Sequence, residues 1–373
     1  MTTTQEPPAE LAAAMEFMGR AVGDFGGFAA VALWSLADEL GLLTALSEGP
    51  ATAARVTAAC DVDVRSAEEI LAGLAAAGYL TRAGDEFTLP PAQAAVVVDG
   101  TPMSAAGGAA EIGAMLRMWP QIVAAAKNGT GIDPLSYPRQ FHDGMERLNR
   151  PIYTGGFPQE GVDLIEGLRE RLEAGATVAD VGAGTGLALI GLAQAFPALR
   201  GVGYDLDPHS LAAARANAQA ARVADRIRFE QRDVADGVGE SFDVVLAFDL
   251  LHDTGDPAAV ATGLRRATKD DGLLVVLEPA AGDDPAADVG PMAALMRLFS
   301  VGYCLPVATH HGSARLGTAG LPPGKLESLL RDAGYSHFEQ VAWQAGFNAA
   351  YAARPAPGSS RTEDFVSPGH PQR

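Results

Sequence analysis

His252 and Asp253 stand side by side in "FDLLHDTGDP", just after an apolar run, "FDVVLAF", that reads as a buried strand. An imidazole that titrates near neutrality can take a proton from a hydroxyl or an acidic carbon. Upstream, "ADVGAGTGLALIGLA" sets Gly182, Gly184 and Gly186 between a strand and a helix. Glycines there permit a tight turn and close backbone approach, and the helix behind them offers unpaired N–H groups. Such a loop alone also suits a dinucleotide, so the acids around it must decide. Asp205 closes the next strand, where a carboxylate can take two ribose hydroxyls, and Asp233 closes the third, where it can help read an adenine edge. With Asp180 on the first strand, three acidic strand ends favour an adenosyl ligand bearing a positive charge over a diphosphate.

These residues need a parallel sheet to bring them together. From 161 to 353 the chain alternates strand and helix signals, the pattern of an α/β sheet covered on both faces. The expected strands are "TVADVGA", "GVGYDLD", "IRFEQRD", "FDVVLAF", "LLVVLEP", "FEQVAW" and "NAAYAAR", the last two as an antiparallel hairpin. Ligands of such sheets bind beyond the carboxyl ends of the strands, at the point where strand order reverses. Asp256 and Pro257 read as the N-cap and first residue of a helix, and Asp207 and Pro208 as another such pair. That capping leaves His252 without a structural explanation.

Residues 10–100 are Ala-rich and helical. "GGFAAVALWSLADELGLLTAL" predicts a largely buried helix closed at Gly41, two short helices follow, and "YLTRAGDEFTLP" alternates about a Gly-Asp turn as a small wing would. The order predicts an N-terminal winged helix. Its reading helix offers Arg65 followed by Glu68 and Glu69, a poor set for base readout, so dimerisation or scaffolding is the expected role. Residues 101–160 read as a helical connector. Within it Phe141, His142, Met145 and Tyr153 are candidates to roof a substrate pocket. Residues 1–9 read as a frayed end and 354–373 as a disordered tail.

"VADVGAGTG", "GVGYDLDP" and "FEQRDV" together resemble the ordered motifs of class I S-adenosylmethionine-dependent methyltransferases. The resemblance extends over roughly residues 20–353. It includes "FDLLHD" and "LFSVGYCLPVA…GSARLGTAG", as in small-molecule methyltransferases with an N-terminal winged helix. It implies a seven-stranded Rossmann-like sheet, S-adenosylmethionine as cofactor, and methyl transfer to an oxygen, nitrogen or carbon of a small molecule. By position, Asp180, Gly182 and Gly184 would meet the amino-acid part of the cofactor, and Asp205 the ribose. Leu206, Asp233 and Val234 would flank the adenine, and Phe248 would close the pocket. His252 with Asp253 would supply the base. A role in secondary metabolism follows from the resemblance alone.

Bulk properties narrow the partners. The formal charge is −19, and the first hundred residues hold fourteen Asp/Glu against four Arg, a net of −10. Nucleic-acid binders need a basic footprint, so neither nucleic acid nor an anionic membrane is an expected partner; a homodimer is. No basic-then-apolar start predicts secretion, and Cys60 and Cys304 give no disulfide framework or metal-ligand spacing, so a cytoplasmic enzyme without a metal is expected. The adjacent histidines of "THHG" suit a single tetrahedral ion poorly, and Cys304 reads as a small buried side chain. Two other readings stay open on these residues. One is a ligand-sensing winged-helix regulator, the other a nicotinamide-dependent oxidoreductase using the same Gly loop.

Overall fold

A computed structural model describes residues 8–356, and its contacts divide the chain into two compact units between Gly155 and Gly156. The expected frayed end and disordered tail fall mostly outside the described residues. Within them, Ala9 already opens a helix, while Arg354 and Pro355 continue the last strand. Pairing holds those two: Pro355 lies opposite Tyr335, and the Arg354 guanidinium donates to the Glu166 carbonyl at 2.6 Å.

The first unit begins with a 31-residue helix, Ala9–Glu39, which ends before left-handed Gly41. Strand β1 (Ala51–Thr52) leads into a short helix, Ala53–Thr57, capped by the Thr52 hydroxyl. Helix Val64–Ala76 starts at Asp63, whose carboxylate accepts from the Ser66 amide at 2.8 Å. Strands β2 (Thr81–Ala83) and β3 (Glu86–Thr88) then make the wing, in the order β1-β3-β2. Trp34, Leu42, Leu43, Leu71, Leu74 and Phe87 fill the core beneath it.

Two expectations change in this unit. The first helix starts at Ala9, well before the expected stretch, and within that stretch burial is partial: Ala30, Trp34, Ser35 and Ala37 are buried while Phe28 and Leu36 are exposed, as are Leu11, Met15, Met18, Val22 and Phe25 ahead of it. Its apolar composition belongs to two faces, and the core occupies one end of one of them. The expected connector does not stand apart either. Helices Ala106–Arg117 and Arg139–Pro151 pack backbone to backbone, so closely that a Cβ on Gly107 would overlap the Gly144 carbonyl and the Leu148 amide. Arg147 then grips Asp38 of the first helix through two 2.8 Å bonds, which ties residues through Gly155 to the first unit.

The second unit is built on a seven-stranded sheet, comprising β4 (Thr177–Val181), β5 (Arg200–Asp205), β6 (Ile227–Gln231), β7 (Phe242–Phe248), β8 (Thr268–Pro279), β9 (Tyr335–Ala345) and β10 (Asn348–Pro355). Their order is β6-β5-β4-β7-β8-β10-β9, with β10 antiparallel to both neighbours and the other pairs parallel. The chain therefore runs outward from β4 to β6, then returns to the other side of β4 with β7. That reversal sets the crevice between the ends of β4 and β7. Strand β8 starts at Thr268, five residues before the expected "LLVVLEP", because the Thr268 hydroxyl bonds Leu264 O at 2.8 Å and Tyr335 Oη at 2.9 Å as the chain leaves the helix. Unbroken apolar runs fill the centre: Val181, Val202, Val245, Leu274 and Val276 are all buried, as strands covered on both faces require.

One stretch of this unit, Pro291–His311, is long and apolar enough by composition to cross a membrane. Met296, Cys304, Val307 and Ala308 on it are buried, while Met292 and Val301 are about half exposed.

Candidate active site

Strand β4 ends in the glycine loop. Gly182, Gly184 and Gly186 all have positive φ (75°, 52° and 83°), so each needs the freedom of glycine. At Gly182 a Cβ would also lie 2.9 Å from the Leu250 side chain, and at Gly186 2.6 Å from the Phe229 ring. Asp180 on β4 is buried, and its Oδ2 takes no hydrogen bond. Burial raises its pKa to about 7, against the opposing pull of a backbone bond from Leu189, with Asp205 adding a smaller upward push. An orphaned buried carboxyl oxygen beside a glycine loop is a place for a cation to bind. The ammonium of S-adenosylmethionine fits that demand.

Asp205, at the end of β5, accepts from the Gly184 amide at 2.7 Å and from the Asp207 amide at 2.9 Å. It holds the loop in shape, and its pKa is raised by burial despite those bonds. Each oxygen keeps a second lone pair for a hydroxyl. Leu206 beside it is 53% exposed, leaving an apolar surface of the kind an adenine face stacks on. Asp233 follows β6, is exposed, and caps a short turn through the Ala235 amide at 2.9 Å, while Val234 is buried. Phe248 closes β7 as a buried ring, meeting Phe157 edge-on at 5.0 Å. Asp207 and Asp256 cap their helices as expected.

His252 sits in a single turn, Leu251–Asp253, beyond β7. It does not lie on an open rim: its side chain is 4% exposed. Nδ1 lies 2.6 Å from Glu278 Oε2, and the other Glu278 oxygen accepts from the Leu251 amide at 2.7 Å. Nε2 lies 3.2 Å from Asp253 Oδ1. Burial alone would lower the pKa of this imidazole, but the Asp253 and Glu278 carboxylates outweigh it and hold the value well above the usual one. Cys304 completes the cluster. Its Sγ accepts from the Thr318 hydroxyl at 3.0 Å, and burial pushes the thiol up to about 11.

The turn itself is held in an uncommon conformation. Asp249 has φ +50°, and the Asn348 amide nitrogen lies 2.9 and 3.0 Å from its two carboxylate oxygens. Asp is among the few residues that tolerate this region. Beyond His252, Gly255 passes so close to the His311–Gly312 backbone that any side chain there would overlap it. Sequence reasoning missed Glu278, Asn348 and the placing of Cys304 beside His252. The one available signal for Glu278 was a carboxylate ending an otherwise apolar strand.

Phe141, His142, Met145 and Tyr153 lie in the first unit. Phe141 is buried against Tyr137 at 5.0 Å, His142 Nε2 lies 3.1 Å from the Pro134 carbonyl, Met145 is half-buried and Tyr153 is buried. At the reading helix of the wing, Arg65 pairs with Glu68 and Glu69, and Arg82 with Glu68.

Comparison with known proteins bears on the fold and the domain. Residues 179–274 match a family model described as a methyltransferase domain. Ribosomal protein L11 methyltransferase of Bacillus licheniformis is 37% identical over 94 residues, 25% of this chain and 30% of that protein. The chain thus spans about a third or less of the first curated relatives it matches. A mitomycin biosynthesis 6-O-methyltransferase of Streptomyces lavendulae is 27% identical over 302 residues, 77% of this chain and 85% of that protein. Among solved structures, human N-acetylserotonin methyltransferase, in complex with S-adenosylmethionine, superposes with a TM-score of 0.69 at 18% identity, covering 95% of this chain and 99% of that one. Sheet order, glycine loop and matched domain define the class: this is a class I methyltransferase fold, with residues 179–274 as its methyltransferase domain.

Proposed function

We propose that the protein transfers a methyl group from S-adenosylmethionine to an oxygen of a small molecule, with His252 receiving the proton that the acceptor gives up. The observation that carries this is the buried imidazole fixed by Glu278 at 2.6 Å, on the turn that leaves β7 at the point where the connections after β4 and β7 part to opposite sides. When bound, the cofactor supplies an electrophilic methyl group on a sulfonium. In this reading Asp180 takes its ammonium and Asp205 its ribose hydroxyls. Leu206, Asp233 and Val234 border the adenine, and Phe248 keeps water out. Glu278 orients Nδ1 of His252 so that Nε2 serves the acceptor; since both carboxylates favour the imidazolium, the proton step runs through the neutral imidazole, and turnover should rise with pH as that form grows. The mitomycin biosynthesis relative, matched over 85% of its length, is named for O-methylation, which favours a hydroxyl over a nitrogen or carbon acceptor.

The partners in this proposal are a small molecule and a second copy of the chain. Leu11, Met15, Met18, Val22 and Phe25 recur at alternating spacings of four and three along one helix and are 51–72% exposed, as a helix seam between two copies would be. The acidic first unit and the paired Arg65 argue against a nucleic-acid partner. Two unpaired cysteines suit a cytoplasmic setting.

The test is formation of S-adenosylhomocysteine with a panel of phenolic and alkyl hydroxyl compounds. His252→Ala should lower turnover by about a hundredfold or more while cofactor affinity changes less than about twofold. Undiminished turnover in the variant would remove His252 from the proton step.

A further inference from the structure

His252, Asp253 and Cys304 converge although the cysteine lies far along the chain from the other two. One ligand-competent atom from each falls within 4.8 Å of the others. Nδ1 of the imidazole is engaged with Glu278, which leaves Nε2 to face the group. Imidazole, carboxylate and thiol make the mixed nitrogen, oxygen and sulfur set that zinc-class ions prefer, and three protein ligands leave a fourth position open. The support behind each ligand follows the rule for metal sites. Glu278 holds the far nitrogen of the His, the carboxylate–histidine arrangement found behind metal ligands, and the Thr318 hydroxyl donates to the sulfur at 3.0 Å. A second observation points the same way: Asp253 Oδ1 is buried without a hydrogen bond, Nε2 lying beside it outside bonding geometry. The positive charge that meets this oxygen in the empty cluster is the imidazolium itself, and a divalent ion set between the two would take its place by displacing the Nε2 proton.

We propose that a zinc-class divalent cation binds at His252 Nε2, Asp253 and Cys304, and that the bound ion inhibits methyl transfer. The ion and the incoming proton need the same lone pair on Nε2, so a metal-loaded His252 cannot serve the acceptor. The inhibitory clause rests on the reading of His252 as proton acceptor. The site itself rests on the three ligands.

The probe is Co²⁺ alone, added to the full chain without oxygen, because a cobalt–thiolate bond absorbs in the near ultraviolet and tetrahedral cobalt in the visible. The chain has two cysteines, so the sulfur can be assigned. The expected result is a thiolate band that saturates at one equivalent, persists in Cys60→Ser, and is lost in Cys304→Ala and Cys304→Ser. Circular dichroism and S-adenosylhomocysteine binding establish that the variants are folded. Absence of the band at excess cobalt, or its loss in Cys60→Ser with retention in Cys304→Ala, overturns the site. Zn²⁺ should suppress turnover at least about tenfold, reversibly with a chelator, in the wild-type protein and not in Cys304→Ala. A saturating cobalt band together with zinc-insensitive turnover overturns the inhibitory clause. Failure of the base reading has a separate signature, full turnover in His252→Ala.

Discussion

The ionisation of Asp180 offers the sharpest test of the cofactor pocket. Burial raises this carboxyl from 3.8 to about 7. In the unfolded chain it releases its proton near 3.8, and in the empty folded pocket it holds the proton until about 7. Between those values the folded state binds the extra proton, so stability from this group is fully present below pH 3.8 and is lost as pH rises to 7. At about 1.4 kcal/mol per unit, the loss amounts to about 4 kcal/mol. A ligand ammonium reverses the balance by favouring the carboxylate, so binding must expel the proton when the pH is below 7. The ionised fraction is about one tenth at pH 6 and about nine tenths at pH 8, which predicts roughly tenfold tighter binding of S-adenosylhomocysteine at pH 8. Isothermal titration calorimetry in buffers of differing ionisation enthalpy should detect release of about half a proton at pH 7. Asp180→Asn should abolish both the pH dependence and the release, weaken binding at pH 8 by about tenfold or more, and raise the melting temperature of the ligand-free protein. Affinity that is flat from pH 6 to 8 with no proton released would refute the assignment of Asp180 to the ammonium.

Other perturbations probe the frame around the site. Val22→Glu should convert a dimer to a monomer in light scattering, since burying an apolar side chain of this size contributes about 1.5–3 kcal/mol and a charge in the seam opposes it. Persistence of the dimer would move the interface off this helix. Gly107→Ala should cost about 2 kcal/mol or more in denaturant unfolding, because the added methyl meets backbone atoms that cannot step aside. Asn348→Ala should lower stability by about 1–3 kcal/mol and reduce turnover more than cofactor affinity, as the clamp on left-handed Asp249 is released. An unchanged kcat would show that the turn before His252 keeps its shape without it.

The sequence made local features legible. Apolar runs ending in Asp marked β4 and β5, glycines marked the loop between strand and helix, and Asp-Pro pairs marked helix starts. What it hid depends on chain segments far apart meeting in space. Glu278 reads as the end of an apolar strand, and only the β7–β8 pairing puts its carboxylate on His252. Cys304 reads as a small core residue, and only the packing of Gly255 on Gly312 shows that its helix is pressed against the histidine turn. The exposed apolar row at residues 11–25 shows the limit of periodicity, which reports that a face will be covered without saying by what. Residues 101–160 read as a connector because helix periodicity does not report packing partners, whereas Gly107 and Gly144 are points of contact between two helices of the first unit.

The placing of β10 has a consequence for how the molecule is made. This strand is the last in sequence among the described residues yet lies inside the sheet, between β8 and β9, and it brings Asn348 to the turn that carries His252. A chain emerging from the ribosome can form β4 through β7 and their covering helices early, including the glycine loop. It cannot fill the slot beside β8 until residue 355 is free. Cofactor-binding geometry and proton-handling geometry are thus acquired at different moments of synthesis, and a nascent chain passes through a stage that has the first without the second.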